Sequence, residues 1–236
     1  MNASFTITID NQSVEATPGE SLLEVCRKAN IPLPVMCDFK GLSPVGACRL
    51  CLVEIEGVPK LLPACTTLVA PNQAVHTQSD KLRKYRRMII ELIFSERNHI
   101  CAICVANNNC ELQKMAYELG MDHVRFPYLT PVCEVDASHE KYVMDHNRCI
   151  LCTRCVRVCS EIEGAMTRDV MGRGFDARII TEFKQPWGDS TGCTSCGKCV
   201  QVCPTGALTP NDAAQGRLKK NPELVALLIE KREAKP

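Results

Sequence analysis

Cysteine dominates the chemistry open to this chain. Cys149, Cys152, Cys155 and Cys159 follow a C-x2-C-x2-C-x3-C spacing, and Cys193, Cys196, Cys199 and Cys203 repeat it, with Pro204 behind. A run of this kind wraps three thiolates round one [4Fe–4S] cubane and sends its fourth cysteine to a neighbouring cluster. The two runs therefore predict crossed sites: Cys149, Cys152 and Cys155 with Cys203, and Cys193, Cys196 and Cys199 with Cys159. Zinc sites separate their C-x2-C pairs by longer loops, so two zinc ions fit this spacing poorly. Ser160 stands where the first run would carry a proline, a change of little consequence for ligation.

Upstream, Cys37, Cys48, Cys51 and Cys65 form C-x10-C-x2-C-x13-C. Four thiolates on a long loop and a nearby hairpin can chelate a [2Fe–2S] centre. Plant-type ferredoxins use a shorter first gap, and composition alone also admits a zinc ribbon. The small residues Gly41, Ser43, Pro44, Gly46 and Ala47 favour the cluster, because they let backbone N–H groups approach bridging sulfides. A fourth group is one ligand short: RNHICAICVANNNC, residues 97–110, holds only Cys101, Cys104 and Cys110. His99 lies two residues before the first of these, and Cys133 lies further along.

Composition sets the setting. The chain has 236 residues and 17 cysteines, an odd number clustered in C-x2-C runs, which makes a poor disulfide framework and a good metal framework. Its start, MNASFTITIDNQ, lacks the basic residues and long apolar run of a signal peptide. The longest apolar candidate, MIIELIF at 88–94, is short and contains Glu91, so no membrane span is expected. A reducing, cytoplasmic location follows. A formal net charge of +1 argues against nucleic acid as the principal partner. Aromatics are only 5%, a thin supply for an ordinary core, so clusters are expected to help hold small domains together.

The elements that must position these ligands can be read from periodicity. SFTITID alternates apolar Phe5, Ile7 and Ile9 with threonines, a half-buried strand, and Asp10-Asn11-Gln12 turns it into a second strand near 13–16. Ser21 and Glu24 form a capping box that opens a helix to about Ala29, with Cys26 a buried structural thiol on it. Short strands follow within 51–58 and 74–77, around a turn at Gly57 and Pro59. From Ser79, which reads as the N-cap, a helix places Leu82, Tyr85, Ile89, Leu92 and Ile93 on one face, and Lys81, Arg83, Lys84, Arg86 and Arg87 read as a solvated or docking face. A second helix carries Leu112, Met115, Ala116 and Leu119 and stops at Gly120. Residues 121–148 read as loops and short strands. A last helix is capped by Asn221, with Leu224, Leu227 and Leu228 as its apolar face, for which the chain itself and a partner are equally suitable. His76, His123, His139 and His146 have no ligand spacing and read as structural, although His146 can hydrogen-bond near a cluster.

The ordered series MCDFKGLSPVGACRLC with Cys65, ERNHICAICVANNNCELQ, RCILCTRCVRVCSEIEG and GCTSCGKCVQVCPTGAL covers nearly all of residues 1–210. It resembles the electron-input module shared by the large iron–sulfur subunit of respiratory complex I and by [FeFe]-hydrogenases. Within that group it is most similar to the small diaphorase subunits of soluble NAD-reducing [NiFe]-hydrogenases, on two grounds: the chain stops soon after the last cluster motif, and the third motif has H-x-C in place of H-x3-C. The resemblance implies an α+β, multi-domain protein: a β-grasp [2Fe–2S] domain over 1–78, a helical [4Fe–4S] domain with one histidine ligand over 79–145, a two-cluster ferredoxin-like domain over 146–210, and a C-terminal tail over 211–236. It also assigns His99 as the fourth ligand beside Cys101, Cys104 and Cys110, with Cys133 or another group as the alternative. An imidazole in place of a thiolate raises the net charge of a cluster and tends to raise its potential.

No GxGxxG, no P-loop and no nucleophile beside a base occurs in the chain. One [2Fe–2S] and three [4Fe–4S] clusters without substrate chemistry make an electron-transfer subunit of an oxidoreductase, not catalytic alone. By the resemblance its partners are an FMN/NAD-binding diaphorase subunit and [NiFe]-hydrogenase subunits. The alternatives are an iron–sulfur subunit of an NADH:quinone oxidoreductase or of an NAD-linked formate dehydrogenase, and, from a different class, a zinc scaffold protein.

Overall fold

The computed structural model describes residues 4–233, the side chain of Glu233 excepted. The chain divides into two compact units: one takes the chain up to Asp38 together with Pro44–Ile90, the other takes Phe39–Ser43 and the chain from Glu91.

The first unit is a five-stranded sheet wrapped on one helix. Strands β1 (Phe5–Ile9) and β2 (Gln12–Ala16) form an antiparallel hairpin whose two turn residues, Asp10 and Asn11, both have positive φ, as a tight hairpin turn with the right twist requires. The helix α1 (Leu22–Lys28) opens with the capping box at Ser21 and Glu24 and buries Leu22, Leu23, Val25 and Cys26. Strands β3 (Leu52–Ile55), β4 (Leu62–Pro63) and β5 (Ala74–His76) complete the sheet in the order β2-β1-β5-β3-β4. The β1–β5 pair is parallel and every other pair is antiparallel. Ile7 and Ile9 alternate inward with Val53, Ile55 and Val75 to form the core under α1.

The helix α2 (Asp80–Glu96) is capped as its sequence suggests, with the Leu82 N–H donating to Ser79 Oγ at 3.1 Å. Its buried stripe differs from the expected one. Leu82, Arg86, Ile90 and Phe94 are buried at helical spacing, whereas Tyr85 and Leu92 are exposed. Arg86, read as a surface cation, is 3% exposed and donates from Nε to the Leu50 carbonyl at 3.0 Å and from Nη2 to the Leu52 carbonyl at 2.7 Å.

In the second unit, α3 (Glu111–Glu118) buries Leu112 and Ala116 and ends at Gly120, whose positive φ closes the helix. Strands β6 (Val135–Asp136), β7 (Tyr142–Asp145) and β10 (Leu208–Pro210) form a small sheet in the order β10-β7-β6, and β8 (Arg168–Met171) pairs with β9 (Arg178–Thr181). Between them lie two one-turn helices, α4 (Arg154–Arg157) and α5 (Lys198–Val202), one in each cysteine run. The last helix, α6 (Pro222–Glu233), has its cap at Asn221, whose Oδ1 accepts from the Leu224 N–H at 3.1 Å. It packs on its own chain through Val225 and Ile229, against Leu42, Val158 and Val202. The expected face, Leu224, Leu227 and Leu228, is the exposed one.

Candidate metal centres

In the first unit, the loop between α1 and β3 brings Cys37, Cys48 and Cys51 to Cys65. The thiols touch one another: Cys37 hydrogen-bonds with Cys48 and Cys65, and Cys51 with Cys65. Backbone N–H groups turn inward on the same set, from Ala47 and Cys48 to Cys37 and from Met36 to Cys48, the last at 3.4 Å. Arg49, between two of the cysteines, takes a positive φ. A non-glycine residue in that region marks a turn held by its surroundings, often at a functional site. The hydrogen bonds from Cys48 and Cys65 hold the Cys37 thiol well below its ordinary range, while Cys48 is raised by its bond to Cys37 and by burial. Four thiols sharing protons, ringed by inward N–H donors, suit a cluster of iron and sulfide, which needs all four as thiolates.

Three cavities in the second unit are each lined by one candidate quartet. His99, Cys101, Cys104 and Cys110 line one, Cys149, Cys152, Cys155 and Cys203 a second, and Cys159, Cys193, Cys196 and Cys199 the third. The crossed arrangement of the two runs is thus present in space: each loop keeps three of its cysteines and lends the fourth to the other cavity. Among the described residues no three His, Cys, Asp or Glu side chains are gathered tightly enough for a single metal ion.

The two run loops follow the same backbone path. Leu151 and Thr153 in the first, and Ser195 and Gly197 in the second, occupy equivalent places between cysteines, and all four have positive φ. Left-handed residues turn successive N–H groups toward one side of a loop, which suits an anionic cluster. The runs diverge after their fourth cysteine. Before Pro204 the helix must stop, since a residue preceding proline avoids the helical region. With Ser160 in the equivalent place the helix continues as a π-helical turn over Val158–Glu163 that carries Cys159, and the Ser160 hydroxyl donates to the Val156 carbonyl at 3.1 Å.

Two features of the histidine site fit a cluster. His99 Nε2 is buried without a hydrogen-bond partner, and Gly206 lies so close that a Cβ there would sit 2.7 Å from Cys104 Sγ. Burial, with the charges of Arg148 and Arg97, pushes the His99 imidazole down to about 4 and so keeps it neutral, the form that binds metal. Phe94 stands against the ring, centroids 5.2 Å apart. Cys133 does not line this cavity; Arg97 Nη1 donates to its sulfur at 3.6 Å. Burial raises the thiols of Cys110 and Cys152 to about 11 and Cys149 to about 12. These groups hold protons that an incoming metal must displace. The donor sets, the orphaned imidazole and the close glycine fit iron–sulfur clusters.

Several residues around these cavities carry no motif. Thr167 Oγ1 is 3.3 Å from Cys159 Sγ, and the indole N–H of Trp187 donates to Cys193 Sγ at 3.3 Å. His139, read as structural, stacks on Tyr142, packs tilted against Trp187 and lies 3.1 Å from Ser195 Oγ. His146 lines a different, polar cavity. Glu111, next to Cys110, pairs through both oxygens with buried Arg154 at 2.8 and 2.9 Å, which ties α3 to α4. Trp187 is the single tryptophan of the chain, and no motif marks it.

A family model described as a 2Fe-2S iron-sulfur cluster binding domain matches residues 2–80. One for the NADH-ubiquinone oxidoreductase-G iron-sulfur binding region matches 86–125, and one for the ferredoxin-like domain of NADH-quinone oxidoreductase subunit 3 matches 141–209. The chain is 37% identical over 204 residues to the NADH-quinone oxidoreductase G 2 subunit of Rhizobium meliloti, a match covering 86% of this chain and 23% of the relative. It is 33% identical over 219 residues to the NADP-reducing hydrogenase subunit HndD of Solidesulfovibrio fructosivorans, covering 88% of this chain and 36% of the relative. The chain thus spans between about a quarter and a third of the length of these curated relatives. A crystal structure of NAD+-reducing [NiFe]-hydrogenase in the H2-reduced state has a chain that superposes with a TM-score of 0.84 at 34% identity, covering 90% of this chain and 89% of that one. No helix among the described residues is long and apolar enough to cross a membrane.

Proposed function

The chain belongs to the family of iron–sulfur electron-transfer subunits of NAD-reducing hydrogenases and NADH–quinone oxidoreductases, and from that premise we propose that it relays electrons between a hydrogenase module and an FMN/NAD diaphorase subunit in the cytoplasm. The observation that carries this reading is that three cavities are each lined by one quartet of metal-binding side chains. We assign one [2Fe–2S] site to Cys37, Cys48, Cys51 and Cys65. Three [4Fe–4S] sites follow: His99 with Cys101, Cys104 and Cys110; Cys149, Cys152, Cys155 and Cys203; and Cys159, Cys193, Cys196 and Cys199. Bound there, the clusters supply one-electron redox centres. The division into cluster domains at 1–78, 79–145 and 146–210, with a tail over 211–236, follows these sites.

The chain's own residues do three things. Thiolates and one imidazole hold the metals. Left-handed loop residues aim backbone N–H groups inward, and a buried surround keeps water from the sulfurs, which together set potential. Among the candidate ligands only Cys196 is exposed, which supports electron exchange with an outside partner at its cavity.

The whole assembly would couple H2 oxidation to NAD+ reduction. The likeness to the NADH-quinone oxidoreductase relative supports a second reading, a quinone-linked assembly with the same internal relay. Isolating the chain with its natural partners separates the two. Hydrogenase and diaphorase subunits in the isolate, with H2-dependent NAD+ reduction, support the first reading, and quinone-linked partners without hydrogenase activity overturn it. Freed of partners, the chain should accept electrons from dithionite and show no NADH:dye activity.

A further inference from the structure

Arg168 is charged, 4% exposed and lies at the wall of the cavity that Cys159, Cys193, Cys196 and Cys199 line. It enters β8 directly after Thr167, so one step of strand brings two donors to this wall. Its guanidinium lies 3.8 Å from the centre of the Trp187 ring, and that indole donates its own N–H to Cys193 Sγ at 3.3 Å. The guanidinium also hydrogen-bonds Cys199 and interacts electrostatically with Cys155 and Cys159. One of its nitrogens, Nη2, is buried with no protein partner. A buried arginine donor left without a partner is costly, unless the site is completed by an acceptor the chain does not itself provide.

We propose that Arg168 is a positioning and tuning residue for the centre held by Cys159, Cys193, Cys196 and Cys199: its fixed charge and N–H groups, with the indole N–H it braces, raise the potential of that centre. The physical basis is simple. Adding an electron makes a cluster more negative, and hydrogen bonds and positive charge near the sulfurs favour that reduced state. Inside a poorly hydrated wall the effect is stronger than in water. Three of the four ligands have such a side-chain partner, Cys159 the Thr167 hydroxyl, Cys193 the Trp187 indole N–H and Cys199 the Arg168 guanidinium, while the exposed Cys196 has Glu163 instead. The charge is permanent, so the tuning is independent of pH across the range in which the protein works.

The inference rests on the four-cluster reading, and its test keeps the two apart. The whole chain, and its variants Arg168→Gln, Arg168→Lys and Trp187→Phe, are loaded, counted for iron and titrated electrochemically while the reduced clusters are followed by electron paramagnetic resonance. Arg168→Gln should lower the reduced-to-oxidised ratio of one cubane at a fixed potential about tenfold, which is about 59 mV for one electron. Arg168→Lys should recover most of that loss, and Trp187→Phe should shift the same signal in the same direction by less. The signal that moves should be the one altered by Cys196→Ser. Should Arg168→Gln fail to retain iron, the lysine and phenylalanine variants decide, and the same ordering is required of them. Full iron with unmoved potentials in these variants, or an equal shift of every cluster, overturns the inference alone. Fewer than three cubanes in the unsubstituted chain overturn the reading beneath it.

Discussion

At His99 the decisive fact is a buried imidazole nitrogen with nothing to bond, inside a cavity that three thiols share. A surface histidine would find water, and a structural one would find a carbonyl. His99→Ala is therefore expected to cost up to four irons, and His99→Cys to retain them at a lower potential, because a thiolate brings the negative charge an imidazole lacks. Cys133→Ser should change neither. Iron counts with a redox titration of the three variants check this, and full iron at an unchanged potential in His99→Ala contradicts it. Cys26 tests burial instead of ligation. Desolvation, then the charges of Asp10 and Cys51, raise its thiol to about 11. A raised thiol pKa favours the protonated, folded form, so this contribution is complete below the unfolded value of about 8.5 and is lost as pH rises through about 11. The loss amounts to roughly 2–3 kcal/mol by pH 11. Unfolding of the first unit followed across pH 8–11 should show this slope in the native chain and a flatter one in Cys26→Ala; identical slopes contradict it.

Among the elements, α2 shows what periodicity conveys and what it omits. Helix and cap were legible, because both depend on residues close in sequence. The buried stripe was not, because an arginine occupies a core position: Arg86 is admitted to the interior only by the carbonyls of Leu50 and Leu52, which the cysteine loop presents. Arg86→Met should therefore destabilise the first unit by roughly 2–4 kcal/mol, since two buried carbonyls lose a charged donor. The [2Fe–2S] absorbance, carried by the loop with Cys48 and Cys51, should bleach at lower denaturant than the cubane signals. Coincident loss of all signals at the native midpoint would contradict that. In α6 the apolar residues run round two faces, and the helix buries Val225 and Ile229 because Leu42, Val158 and Val202 meet that side. No local pattern encodes that choice. The sharing of one cavity by each candidate quartet was expected for the opposite reason: thiolate spacing is local chemistry, and the crossed pairs needed only the repeat. The donors Thr167, Arg168 and Trp187 lie on strands and turns outside the motifs, so only the folded chain brings them to the sulfurs.

For the whole molecule, the parts agree on one purpose. Each unit carries candidate metal ligands in place of a large aromatic core. With clusters in these sites, assembly and folding would be coupled, because a quartet of buried thiols must give up its protons to the metal. The central claim is the occupancy of four polynuclear sites by this single chain. Quantifying iron, zinc and acid-labile sulfide in the anaerobically purified chain tests it most directly. About 14 irons per chain, two from the binuclear site and four from each of three cubanes, with matching labile sulfide, is the expected result. Zinc in place of iron, with no labile sulfide, would contradict the account.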